Sequence, residues 1–361
     1  MKTLIIATGL LLTTSSIYAQ TEVLQGVMQG KDYGVVYSLP KTEIEIEIKA
    51  NKITYKPGEF SKYAERFLRM PNVSNDAEEY WEITEITAKG IGTPNSEATY
   101  FVKLKDKTVA PLMELTEDGI VKSINVPYTP AKTSPATPAQ PAGETQKKVN
   151  PRDFLTEEIL IAGSTAKMAE LVAKEIYNIR ESKNALLRGQ ADNMPTDGTQ
   201  MKIMIDNLNI QETAMTEMFT GTREKKEKTF TFRITPDKEL ANEIVFRFSK
   251  KLGVVGKDDL GGNPFFISLK DLKTVQIPPQ EENGKKKKDK PEGIAYNVPG
   301  QALLTITNGN KKVYEKEIAV TQFGTTEYLA PVLFNKNSTF KVYFDPTTGG
   351  LLKVDKEEVE K

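Results

Sequence analysis

Residues Gly163–Phe219 read GSTAKMAELVAKEIYNIRESKNALLRGQADNMPTDGTQMKIMIDNLNIQETAMTEMF, the one long run whose apolar residues recur at helical rather than strand spacing. Ala166, Ala169, Val172, Ile176, Ile179 and Leu186 fall on one side of a helix, and Glu170 and Lys174 form an i,i+4 pair on another. Two openings compete, Asn150-Pro151 capping an early turn through Phe154 and Ile159, or Ser164 starting a fresh helix after Gly163, and Gly189 is a stop because glycine enters left-handed backbone at no steric cost. A second helix follows, opened by Asp197 with Gln200 at the capping-box position, and with Met201, Met204, Leu208, Met215 and Met218 on one stripe. The short connection makes the two helices antiparallel. Burying these stripes does not offset the backbone entropy of ordering both helices, about 1 to 2 kcal/mol per residue. The reading over 150–221 is therefore a helical hairpin docked on a β lobe. Ordinary core is the first use of the methionine stripe, and an adaptable partner-binding face the second.

Outward from the hairpin, short strands and turns dominate both flanks. On the N-terminal side Ile44, Ile46 and Ile48 alternate with Glu43, Glu45 and Glu47, so Thr42–Ala50 is a strand with one core face and one row of carboxylates. Side chains two apart on a strand point outward together without converging, so that row is expected to pair with lysines across the sheet. Phe60, Tyr63, Ala64 and Phe67 mark a short helix after the Lys56-Pro57-Gly58 turn, expected to lie across the sheet. Tyr80–Ile91, Thr99–Leu104, Val109–Leu115 and Ile120–Val126 read as further strands. Past the hairpin, Thr229–Ile234, Glu243–Phe248, Phe265–Leu269, Gly293–Val298, Ala302–Thr307, Lys312–Val320, Thr339–Phe344 and Leu351–Val354 do the same, with Asn308-Gly309-Asn310 as a hairpin turn.

The expected class is α+β: two antiparallel β-rich lobes, the C-terminal one sandwich-like, with the helical hairpin between them. The expected division is a signal peptide over 1–19, an N-terminal β-rich lobe with a short helix over 20–127, and a Pro/Thr/Ala-rich disordered linker over 128–149. The hairpin over 150–221 and a C-terminal antiparallel β lobe over 222–361 complete it, the latter with a disordered charged loop at 278–292. Lys2, the apolar run Leu4–Leu12 and the small residues Ser15, Ser16 and Ala19 carry the signal-peptide reading. That run is too short to span a bilayer, and no transmembrane segment is expected after cleavage.

Chemistry is bounded by what the 361 residues lack. There is no cysteine and no histidine, which excludes disulfides, thiol nucleophiles, imidazole bases and the usual zinc, copper and haem sites. No cofactor is expected. Lys plus Arg and Asp plus Glu number 49 each, so no global field favours nucleic acid, and none is expected as a partner. Three features imitate sites. Ser164-Thr165-Ala166-Lys167 matches the Ser-x-x-Lys of serine acylases, but the spacing recurs at Ser38–Lys41 and Ser338–Lys341 and no Lys-Thr-Gly element completes it. Asp258-Asp259 before Gly261-Gly262-Asn263 resembles a calcium cradle without its ligand series. Trp81, the sole tryptophan, is either a sugar platform or packing, and packing is the commoner use of aromatic rings.

Gly163–Glu170, Ile176–Ser182 and Tyr55-Lys56-Pro57-Gly58-Glu59-Phe60 together resemble an uncharacterised family of exported proteins of Bacteroides-type bacteria, a domain-of-unknown-function family. The resemblance covers nearly the whole mature chain and implies an exported protein, in the periplasm or cell envelope or secreted. It brings no catalytic residue, cofactor or substrate. The functional expectation is a non-catalytic envelope protein with a binding or structural role, meeting another envelope protein or a glycan. Arg180, Glu181 and Lys183, on the polar face of the first helix, are the candidate partner contacts. The alternative is a carboxylate-dependent enzyme acting on polysaccharide, which needs two acids converging in a cleft.

Overall fold

The computed structural model describes residues 22–25, 34–103, 113–128, 149–276, 293–330 and 340–356. The expected signal peptide lies outside them, as do the charged loop and, apart from Tyr128 and Val149, the linker. The fold is mainly antiparallel β with a helical hairpin between β-rich stretches. In chain order the elements are β1 (Glu22–Gln25), β2 (Gly34–Lys56), α1 (Ala64–Leu68), β3 (Glu78–Lys103), β4 (Met113–Leu115) and β5 (Val121–Ile124). The helices α2 (Glu157–Leu160), α3 (Thr165–Leu187) and α4 (Gly198–Thr220) follow. Then come β6 (Thr222–Ile234), β7 (Leu240–Ser249), β8 (Gly253–Gly256), β9 (Asn263–Asp271), β10 (Ile294–Asn308), β11 (Lys311–Leu329), β12 (Phe340–Phe344) and β13 (Leu351–Lys356).

The two β-rich stretches flanking the hairpin do not each keep to their own sheets. One sheet has the order β1-β3-β2-β6, so the first strand after the hairpin pairs along β2, from Lys56 opposite Thr222 to Ile44 opposite Ile234. A second, β13-β12-β5-β4, joins the last strands of the chain to two from before the hairpin. Only β11-β10-β9-β7-β8 is drawn entirely from the C-terminal stretch. The C-terminal sheet is covered on one face by residues from before the hairpin. Ile44, Ile46, Ile48 and Ala50 of β2 pack with Phe246, Ile267, Leu304 and Ile306 in one core. The alternation in β2 correctly marked a buried face but carried no information about which strand would cover it.

The long strands β2 and β10 each cross two cores. Tyr37 and Leu39 of β2 and Ile294 and Ala295 of β10 belong to the second core, with Val342 and Phe344. Both strands change register between the cores, β2 between Ser38 and Pro40 and β10 between Val298 and Gly300. Proline removes a ladder donor and is tolerated in a strand at such bulges. This is why β3 and β10, each expected as two strands, are each continuous. Between the cores, Asn297 Nδ2 donates to the Pro40 carbonyl at 2.9 Å and to that of Thr348 at 2.8 Å. Thr42 N donates to Thr321 Oγ1 at 2.9 Å, and Gln322 Nε2 donates back to the Thr42 carbonyl at 2.8 Å. The Tyr37 hydroxyl accepts from Ala295 N at 2.8 Å, and its burial pushes the phenol pKa well above the ordinary range.

The hairpin has a separate core. Phe60, Ala64 and Leu68 pack with Leu155, Ile159, Val172, Ile176, Ile179, Met215, Met218 and Phe219. The short helix thus lies under the hairpin rather than across the sheet, with Phe60 and Phe219 ring centroids 5.4 Å apart. Ser164 Oγ accepts from Lys167 N, and Asp197 Oδ1 accepts from Thr199 N and Gln200 N, so both expected caps form. At the end of α3, Gly189 adopts φ +69°, and Gln190 N donates to the Ala185 carbonyl in a Schellman pattern. Docking is densest in the inner half, although Leu186 near the tip of α3 is also buried. Ile203, Ile210 and Leu187, in the outer half, are 56%, 45% and 67% exposed, and Met204 of the expected stripe is also exposed. No helix among the described residues is long and apolar enough to cross a membrane.

Candidate functional site

The polar side of the hairpin carries the site. On α3, Ile176 and Ile179 turn inward, which leaves Arg180 and Lys183 on the flank facing α4. The carboxylate that both cations reach across the hairpin is Glu212 on α4. Arg180 Nε donates to Glu212 Oε1 and Lys183 Nζ to Oε2, each at 2.6 Å. Burial alone would raise the Glu212 pKa, but the bonds from Lys183 and Arg180 outweigh it and hold the carboxyl below the ordinary glutamate value. The Arg180 guanidinium also sits 5.5 Å from the centre of the Tyr177 ring.

From this cluster an open groove of about 630 Å³ runs along α4 to the junction with β6. Thr213 and Thr220 line it, and Arg223 stands at its far end, its guanidinium 5.1 Å from the centre of the Tyr55 ring. The Tyr55 hydroxyl lies 3.0 Å from the Thr220 carbonyl and 2.8 Å from that of Ser74, which fixes the end of α4 against β2. Gly221 joins helix to strand at φ +73°. A Cβ there would come within 2.2 Å of the Lys56 carbonyl oxygen, so only glycine allows this close approach. Thr216 Oγ1, under the groove, is buried and has no hydrogen-bond partner.

Of the three expected contact residues, the structure brings Arg180 and Lys183 together and leaves Glu181 apart, exposed and outside the groove. Glu212 and Arg223 were not read from the sequence. Glu212 is met only through the way α4 packs along α3, and Arg223 depends on β6 joining β2. The imitation sites resolve into local structure. Ser164 is a helix cap, and Lys167 reaches Glu170 at 3.0 Å. Asp259 Oδ1 accepts from Gly261 N at 2.8 Å. Trp81 packs edge-on to Phe230 and flat against Gly253, where a Cβ would lie 2.9 Å from the indole. In the carboxylate row of β2, Glu45 meets Lys89 at 2.9 Å and Arg233 at 2.8 Å, the cross-strand pairing expected.

A family model described as a domain of unknown function (DUF4831) matches residues 33–352. The chain belongs to this DUF4831 family. The match takes in the hairpin and the strands from β2 to β12, so the groove lies within the DUF4831 domain. No curated protein and no solved structure matches the chain.

Proposed function

We propose that this DUF4831 protein is a non-catalytic exported protein, resident in the periplasm or cell envelope of a Bacteroides-type bacterium or secreted from it. It meets another envelope protein or a glycan through the polar flank of its hairpin. The observation that carries this reading is the Arg180–Glu212–Lys183 cluster at the head of an open groove. A carboxyl held by two cations is kept ionised and is poorly suited to general-acid work, which calls for a raised pKa. Among the described residues the other displaced carboxyls, Glu45 and Glu315, are also displaced downward by hydrogen-bonded cations. Export rests on the N-terminal segment.

The test is a photo-crosslinking residue placed at Asn209 or Glu181 and activated in intact cells, with the mature N-terminus sequenced from the envelope fraction. The expected outcome is a chain beginning at Gln20 with a discrete adduct dependent on Arg180 and Lys183. An uncleaved cytoplasmic chain, or purified protein that depolymerises a polysaccharide and loses this on Glu212→Gln or Glu217→Gln substitution, would overturn the reading.

A further inference from the structure

We propose that the groove between the Arg180–Lys183 cluster and Arg223 binds a short anionic glycan, one whose sugar hydroxyls are interspersed with carboxylates or sulfates. The inference rests on the binding-protein reading above and names the ligand class. The ten lining residues are all charged, amide, threonine or glycine, with no aliphatic or aromatic side chain among them. Protein partners are held chiefly by aromatic and arginine anchors seated in desolvated pockets, and an acidic peptide would find no such apolar pocket here. Sugar hydroxyls both donate and accept, and they match a wall that carries the hydroxyls of Thr213 and Thr220, the Asn209 amide and two carboxylates, Glu212 and Glu217, against three cations.

Charge selects among sugars. Cations stand at both ends, Arg180 with Lys183 at one and Arg223 at the other. The nine helical residues Glu212–Thr220 separate them by about 12 Å at about 1.5 Å per residue, before the chain turns into β6. Arg180 uses its Nε on Glu212, and its planar fork has further N–H donors; Lys183 uses one of three. These remaining donors address acceptors carried by a ligand. Glu212 acts as a positioning residue, holding both cations in place without occupying the groove's full donor capacity.

The test uses the full mature chain titrated calorimetrically with a galacturonate tetrasaccharide, a sulfated dextran oligosaccharide, neutral dextran of equal length, and polyglutamate. Saturable binding of at least one acidic oligosaccharide is expected, weakened tenfold or more by Arg180→Gln with Arg223→Gln and by raised salt. Neutral dextran and polyglutamate should bind at least tenfold more weakly. Ile203→Ala, on α4 but outside the groove, should leave affinity unchanged and so reports that a substitution in the hairpin is not by itself the cause. The carboxylated and sulfated arms identify the acid. Equal binding of neutral dextran or polyglutamate, full affinity in the doubly substituted protein at unaltered melting temperature, or no binding of either acidic oligosaccharide would each overturn the inference. In the last case a surviving crosslinked protein adduct at Asn209 would leave the broader binding reading standing. Cleavage of the bound oligosaccharide would do the reverse.

Discussion

The inner and outer halves of the helical hairpin share one sequence pattern and meet opposite fates. Toward the base, Ile176, Met215 and Phe219 are almost wholly removed from solvent against Phe60 and its neighbours, while beyond Glu212 the apolar positions Ile203 and Ile210 stay about half exposed. Helical periodicity states which side chains share a face. It does not state whether a third element covers that face, and here α1 and α2 reach only the inner half. Apart from the buried Leu186, the outer half is held mainly by its backbone bonds and its caps, a weaker arrangement than packing.

The comparison breaks most sharply at the base. Phe219→Ala should cost about 3 to 5 kcal/mol, read as a large fall in denaturation midpoint with unchanged m-value; a loss under 1 kcal/mol would mean that the inner half is not a core. At the tip, Asp197→Ala removes an acceptor shared by two N–H groups and should cost about 1 kcal/mol. Hydrogen exchange should localise that loss to the start of α4, and loss of protection throughout the hairpin would show the halves to be one cooperative unit.

Between the halves, Glu212 links stability to pH. Its folded pKa is lowered, so its contribution is fully present above the ordinary glutamate value of 4.5 and is lost as pH falls through the lower folded value. Glu212→Gln should flatten this acid limb, measured as melting temperature between pH 6 and pH 3; an unchanged limb would assign it to other carboxyls. Thr216→Val removes a buried hydroxyl without a partner and should stabilise by up to about 1 kcal/mol. Last, Ile203→Ala should be neutral within about 0.5 kcal/mol, because alanine's better helix propensity offsets the little burial lost. A cost above 2 kcal/mol would mean that this face is covered.

Local features were legible in the sequence because their causes are local. The caps at Ser164 and Asp197, the Gly189 stop, the Asn308-Gly309 turn and the inward isoleucines of β2 each follow from a few adjacent residues. The sheets were not legible, since pairing β2 with β6 joins positions separated by the whole hairpin, and strand alternation is silent about partners. Strand length was not legible either, because Pro40 and Pro299 sit at bulges through which β2 and β10 continue. The site was half legible for the same reason. Arg180 and Lys183 declare themselves on a helix face, whereas Arg223 reaches the groove only through long-range pairing.

That interleaving sets an order in time. β2 lacks one neighbour until β6 has been made, and β5 has β12 as a neighbour only once residues 340–344 have emerged. Pairings of such high sequence separation form slowly, so the helical hairpin can assemble well before the sheets around it. A chain ending at Leu329 would keep its longest strands yet leave Val121 and Ile124 beside an open strand edge, a template for aggregation. β12 and β13 therefore close a sheet begun in the first third of the sequence, and it is their arrival that removes the exposed edge.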